Sequence, residues 1–302
     1  MMPQVLSVSR SSGRSLTGLI YGPEDGTPIL FIAGAGTGKS MVFGEDLLDA
    51  RGIRLITMDR PGMGGSDPDR TRTPASTAAD YCFFVAAALG VTNPSVPIIA
   101  NSQGALFGLA AAARGWAQTL VLVSPADEAA NPSVRQLLPE TARALPDLVQ
   151  SAPDVAQDLL SSFTPDAMLT MVLDGSDAQD RAVYMTPAFD ALYRTALAEG
   201  FVGGGSGYVA DTMMAAARWP IDLAAITIPV TVLFGVRDQV HSPDHGALLT
   251  SRFPHARRRV IDEAGGALLW THAELVFDAA LRQSDALEQH ASDRGVPDKA
   301  PN

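Results

Sequence analysis

The chain has 302 residues, 46% of them hydrophobic and 18% charged, a globular composition long enough for one large domain or for a core with an insertion. Its formal net charge of −11 speaks against a nucleic-acid partner, whose phosphates need a basic face. The apolar runs are strand-sized and no leader is visible at the N-terminus, so a cytoplasmic location with no membrane partner is expected.

In chain order, short β-branched runs predict strands near 4–8, 15–21, 28–33, 53–58, 96–100, 119–123, 229–234 and 257–262. Helical spacing falls near 39–50, 75–89, 103–114, 243–252 and 267–282. This alternation is the pattern of a mostly parallel sheet covered on both faces, an α/β class, with the first two strands as an antiparallel edge. About a hundred residues between the strands at 119–123 and 229–234 lack strand signals and carry helical spacing. They are too long for a loop, so a helical cap over 126–225 is expected, with a core at 1–125 and 226–283. From Ser284 the composition turns polar, and 284–302 is expected to be a disordered tail.

Three motifs carry chemistry. Phe31-Ile-Ala-Gly-Ala-Gly36 ends a strand in small residues, which lets backbone amides approach a ligand oxygen. The loop after the strand at 53–58, Asp59-Arg-Pro-Gly-Met-Gly-Gly-Ser-Asp67, lies at the sheet edge where open α/β sheets hold ligands. The strand 96–100 then runs into Asn101-Ser-Gln-Gly104, with Ala100 two before Ser102 and Gly104 two after. Small residues at those positions permit a sharp strand-to-helix turn that lifts the Ser102 hydroxyl out of the sheet.

A rival signal overlaps the first motif. Ala33-Gly-Ala-Gly-Thr-Gly-Lys-Ser40 fits a relaxed phosphate-loop pattern, and Asp59 ends the next strand as a magnesium-binding aspartate would. That reading makes the chain a nucleotide hydrolase, but it leaves Ser102 and the strand before Asp238 unexplained. No metal or cofactor is expected: Cys82 is alone, and His241 and His245, four apart, are separated by Pro243.

Over residues 15–282 the chain resembles the α/β-hydrolase superfamily. The resemblance rests on these motifs and on Gly207-Tyr-Val-Ala-Asp211, Trp219-Pro-Ile-Asp-Leu223 and Ile228-Pro-Val-Thr-Val-Leu-Phe-Gly-Val-Arg-Asp238. It implies an eight-stranded, mostly parallel sheet, Ser102 as nucleophile and Asp238 as acid. It also implies oxyanion amides on Ala35 and Gln103, within the loop Gly34-Ala-Gly36. The superfamily's histidine falls on Gly266, which has no side chain, and His272 stands six residues further on.

A serine without a base is a poor nucleophile. The sequence therefore resembles a triad-deficient branch of the superfamily, of the kind that includes the peptide aspartate epimerases of bottromycin maturation. Proton transfer beside a carbonyl is the expected reaction, on a small molecule or modified peptide in a biosynthetic pathway, with Asp238 freed from its partner and raised in pKa. Two alternatives are a serine hydrolase using His272 and a non-catalytic binder. The expected partner is a substrate under the cap, and the sequence carries no signal of oligomeric state.

Overall fold

The computed structural model describes residues 2–281, so the expected tail at 284–302 lies outside the described residues. One sheet of eight strands forms the centre: β1 (Gln4–Ser9), β2 (Ser15–Tyr21), β3 (Thr27–Ile32), β4 (Ile53–Met58), β5 (Val96–Asn101), β6 (Ala117–Val123), β7 (Val230–Gly235) and β8 (Ala256–Ile261). Their order is β1-β2-β4-β3-β5-β6-β7-β8. β1 pairs antiparallel with β2 and β2 with β4, and every later pairing is parallel. All eight strands fall where the β-branched runs placed them.

The central strands are apolar because both of their faces are covered. β5 and β7 are buried at every position, whereas the edge strand β8 exposes Arg257, Arg258 and Arg259. Two apolar clusters, one on each face, contain Phe31, Phe43 and Phe277 on one side and Tyr81, Phe84 and Phe107 on the other.

Flanking helices are α1 (Glu45–Arg51), α2 (Pro74–Leu89) and α3 (Ala105–Ala113). Between β6 and β7 come α4 (Pro132–Leu137), α5 (Glu140–Ser151), α6 (Pro153–Ser161), α7 (Pro165–Gly175), α8 (Ala178–Tyr184), α9 (Pro187–Gly200) and α10 (Ser206–Ala216). α11 (Ala247–Ser251) and α12 (Leu268–Thr271) complete the set, followed by a helical stretch at 273–281. Three helices differ from expectation, each for a local reason. Residues 39–44 stay irregular because Lys39 and Ser40 are drawn to Glu199. α11 starts late because His245 and Gly246 both take positive φ. The last helix breaks at His272, whose φ of −131° is not helical. Among the described residues no helix is long and apolar enough to cross a membrane.

Candidate active site

The site lies at the carboxyl ends of β3, β5 and β7, facing the inserted helices. β5 turns sharply at Ser102, which has a φ of +52° although it is not glycine. Such a conformation costs ~1–3 kcal/mol and persists only where its surroundings hold it. Here the turn is pinned by Gly104, where an added Cβ would stand 2.5 Å from the Ile32 carbonyl oxygen and 2.6 Å from that of Ala33. Ala100, in place of a smaller residue, fits because it faces Gly108 on α3.

A histidine within reach of Ser102 is present, and it does not come from position 266. After β7 the chain passes Asp238 and folds back so that His241 lies over the same carboxylate. His241 Nδ1 is 3.0 Å from both Asp238 oxygens, and Nε2 is 3.1 Å from Ser102 Oγ. The backbone amides of Val240 and His241 also donate to Asp238 Oδ1, at 3.1 and 3.3 Å. With Nδ1 facing a carboxylate, the neutral ring carries its hydrogen there and leaves Nε2 to accept from the serine.

This corrects two expectations. The chain does not lack a histidine coupled to Ser102 and Asp238, and Asp238 is not free. Burial alone would raise the Asp238 carboxyl, but the charge and hydrogen bond of His241, with the Val240 amide, hold it well below the usual carboxylate range. Burial would likewise lower His241, yet the charge and hydrogen bond of Asp238 and the charge of Asp180 raise it above its ordinary value. Arg237 borders the same pocket and is paired there with Asp177, donating through Nε to Asp177 Oδ2 at 2.7 Å.

His272 sits elsewhere. Its Nδ1 is 2.8 Å from Thr271 Oγ1, and it lines a separate hollow beside Gly44 and Asp46. Gly266 does border the Ser102 pocket, but its amide donates to Asp180 Oδ2 at 2.6 Å, and the next amide, of Ala267, reaches Asp180 Oδ1 at 3.2 Å. The carboxylate of α8 thus occupies the loop where the sequence pattern placed a histidine.

The loop Gly34-Ala-Gly36 is held from below by Arg60, which is 1% exposed. Its Nη1 donates to the Ala33 carbonyl at 2.9 Å and its Nη2 to that of Gly34 at 2.8 Å. Gly34 lies against the serine, since a Cβ there would be 3.2 Å from Ser102 Cβ. Gly36 supplies the positive φ that reverses the loop. With its carbonyl neighbours so anchored, the Ala35 amide has no hydrogen-bond partner among the described residues. Gln103 is buried, and its side-chain Nε2 donates to Thr212 Oγ1 at 3.2 Å.

The phosphate-loop resemblance has a structural explanation. Lys39 Nζ pairs with Asp59 Oδ2 at 3.0 Å and Glu199 Oε1 at 2.8 Å. The Ser40 amide and hydroxyl donate to the two oxygens of Glu199, at 2.9 and 2.7 Å. A carboxylate from α9 therefore fills the space that a nucleotide phosphate would need, and Lys39 and Ser40 anchor the inserted helices to the sheet.

Above the triad is a cavity of about 180 Å³. Met41, Met168, Val172, Phe189 and Tyr193 give it an apolar wall, with Asp180, Tyr184 and Gly266 grouped at one side. Such a space admits a small organic group.

A family model described as the alpha/beta hydrolase fold matches residues 27–273. No curated protein matches the sequence. Among solved structures, the chain is similar to a hydrolase from Pseudomonas aeruginosa PA01 at 19% identity and a TM-score of 0.65, covering 93% of this chain and 98% of that one. The enol-lactonase from Burkholderia xenovorans LB400 gives 18% identity and a TM-score of 0.65, covering 92% and 99%. A thermophilic esterase from Thermogutta terrifontis gives 19% and 0.61, covering 97% and 99%. At these identities the likeness is one of fold.

Proposed function

This chain belongs to the alpha/beta hydrolase fold family, and on that footing we propose that it is a serine hydrolase acting on a small ester or related acyl compound. The observation that carries the reading is the unbroken line Ser102 Oγ, His241 Nε2, His241 Nδ1, Asp238, with contacts of 3.1 and 3.0 Å. Fold neighbours with names such as esterase and enol-lactonase agree with acyl chemistry. The inserted helices serve as a cap, presenting the apolar wall to the acyl or alcohol group.

Ser102 Oγ attacks the carbonyl carbon while His241 Nε2 takes its proton. Negative charge gathers on the former carbonyl oxygen, where the Ala35 and Gln103 amides meet it. The carbon–oxygen bond to the leaving group then breaks, and the leaving oxygen takes the proton from His241. Water repeats the cycle on the acyl-serine, releasing the acid. Asp238 stays ionised throughout and stabilises the imidazolium. Proton transfer beside a carbonyl by a free Asp238 loses its premise, because that carboxylate is engaged by His241.

A fluorophosphonate probe tests the reading directly. Rapid stoichiometric labelling at Ser102, absent in Ser102→Ala, is the expected result, and a parent protein left unlabelled after prolonged exposure would count against it. The pH profile gives an independent check. Only the neutral imidazole accepts the serine proton, and the folded pKa of His241 is raised above the ordinary 6.5. Activity is therefore lost as pH falls through that raised value, and the acid limb of kcat/KM is expected to have its midpoint above 6.5. A midpoint below it would contradict the coupling to Asp238.

A further inference from the structure

The pocket holds a second buried carboxylate besides that of Asp238. Asp180 is 4% exposed, lines the cavity, and makes no salt bridge among the described residues, its charge reaching the catalytic side through its effect on His241. Neighbouring Asp177 is paired with Arg237, and Arg181 donates to the Ser176 carbonyl. The two amides from Gly266 and Ala267 satisfy hydrogen-bonding directions of Asp180 but bring no net positive charge. A carboxylate buried without a counter-charge is costly, unless something bound beside it supplies one.

Beside it stands a phenol that faces the same space. Tyr184 is 6% exposed and lines the same cavity, and its hydroxyl has no hydrogen-bond partner among the described residues. The two groups converge on the space over Gly266. A Cβ placed on Gly266 would lie 3.5 Å from Asp180 Oδ2, 3.7 Å from the Tyr184 hydroxyl and 3.9 Å from Asp238 Cγ. That point is thus ringed by two carboxyl groups and a phenol. Aromatic rings close the side away from the sheet, with Phe189 4.9 Å from Tyr184 and 5.0 Å from Trp270 between centroids. Carboxylate, phenol oxygen and aromatic rings together favour an organic cation over a neutral alcohol or an anion.

We propose that the space over Gly266 is a subsite for a protonated amine, making the substrate an amino-substituted ester or amide whose ammonium group pairs with Asp180. The assignment rests on the hydrolase reading for the fate of the acyl group, but the subsite itself does not depend on Ser102 being reactive. Asp180 and Tyr184 here select substrate; the reacting atoms stay with Ser102 and His241. Burial first of all pushes the Asp180 carboxyl up, its two amide donors offset only part of this, and the charges of Asp177 and Asp238 add to it. An ammonium ion in contact would draw it back toward the ionised form.

The test compares n-pentylammonium with n-pentanol by calorimetric binding at pH 8. The parent is expected to bind the ammonium ion at least tenfold more tightly than the alcohol. Asp180→Asn, which keeps an acceptor for one of the Gly266 and Ala267 amides, should bring the two within about twofold. Should that variant not fold, Gly266→Ala serves instead, because its new Cβ makes only ordinary contacts while entering the subsite. It should weaken ammonium binding at least fivefold. Equal binding of amine and alcohol by the parent, or an amine preference intact in the variants, overturns the proposal. Fluorophosphonate labelling separates the two claims: a labelled serine with no amine preference defeats the subsite alone, and amine preference with an unlabelled serine defeats the hydrolase reading alone.

Discussion

His241→Ala is expected to lower kcat/KM for any ester the parent hydrolyses by about 10⁴-fold or more. His241 Nε2 is the group 3.1 Å from Ser102 Oγ, and alanine leaves the serine with nothing to accept its proton. What survives is the acceleration that binding and the oxyanion amides supply on their own. His272→Ala is the matched control. That ring contacts Thr271 and borders a different hollow, so its removal should change kcat/KM by less than about twofold. Steady-state kinetics on both variants, with thermal unfolding to verify folding, decides the matter. Loss of activity in His272→Ala with His241→Ala still active would transfer the role of base to His272.

The largest expected effect on stability belongs to Asp211→Ala. Asp211, on α10, is fully buried between two arginines. Its Oδ2 accepts from Arg60 Nε, and Arg72 Nη2 lies 2.6 Å from Oδ1. Removing the carboxylate leaves two buried guanidinium groups without a counter-charge, at a cost of about 3–5 kcal/mol. For a domain of this size that corresponds to a fall in Tm of roughly 10 °C. Arg60 also holds the carbonyls of Ala33 and Gly34, so the loop beside Ser102 should loosen and kcat should fall in the variant protein that remains folded. Differential scanning fluorimetry reads the first effect. A Tm within 2 °C of the parent would show that the arginines find other compensation.

The sheet was legible because its strands are buried on both faces, and continuous β-branched runs such as Val230–Gly235 have few other outcomes. Ser102 was legible from the small residues that its turn requires. Asp238 was legible from the strand before it. His241 was not, because the wider pattern of the superfamily puts its histidine after the last strand. The available signal was its spacing: three residues beyond Asp238, in a loop, an imidazole can fold back onto the carboxylate that precedes it. Asp180 left no such mark. It belongs to an Ala- and Asp-rich stretch that reads as a solvated helix, and only the packing of α8 against 266–267 shows it to be buried. The phosphate-loop signal misled for a related reason, since Lys39 and Ser40 meet a carboxylate 160 residues away that no local pattern connects to them.

Placing acid and base three residues apart gives the protein a division of labour between two neighbouring loops. The geometry of residues 238–241 is settled within one short stretch of backbone, so the pair needs a single long-distance alignment, that of β7 with β5 across β6. Residues 264–267, after β8, are released from proton transfer. Change there alters the wall of the pocket without removing a member of the Ser102–His241–Asp238 line, while the Arg237 amide, 3.1 Å from the Ala264 carbonyl, keeps the two loops in register.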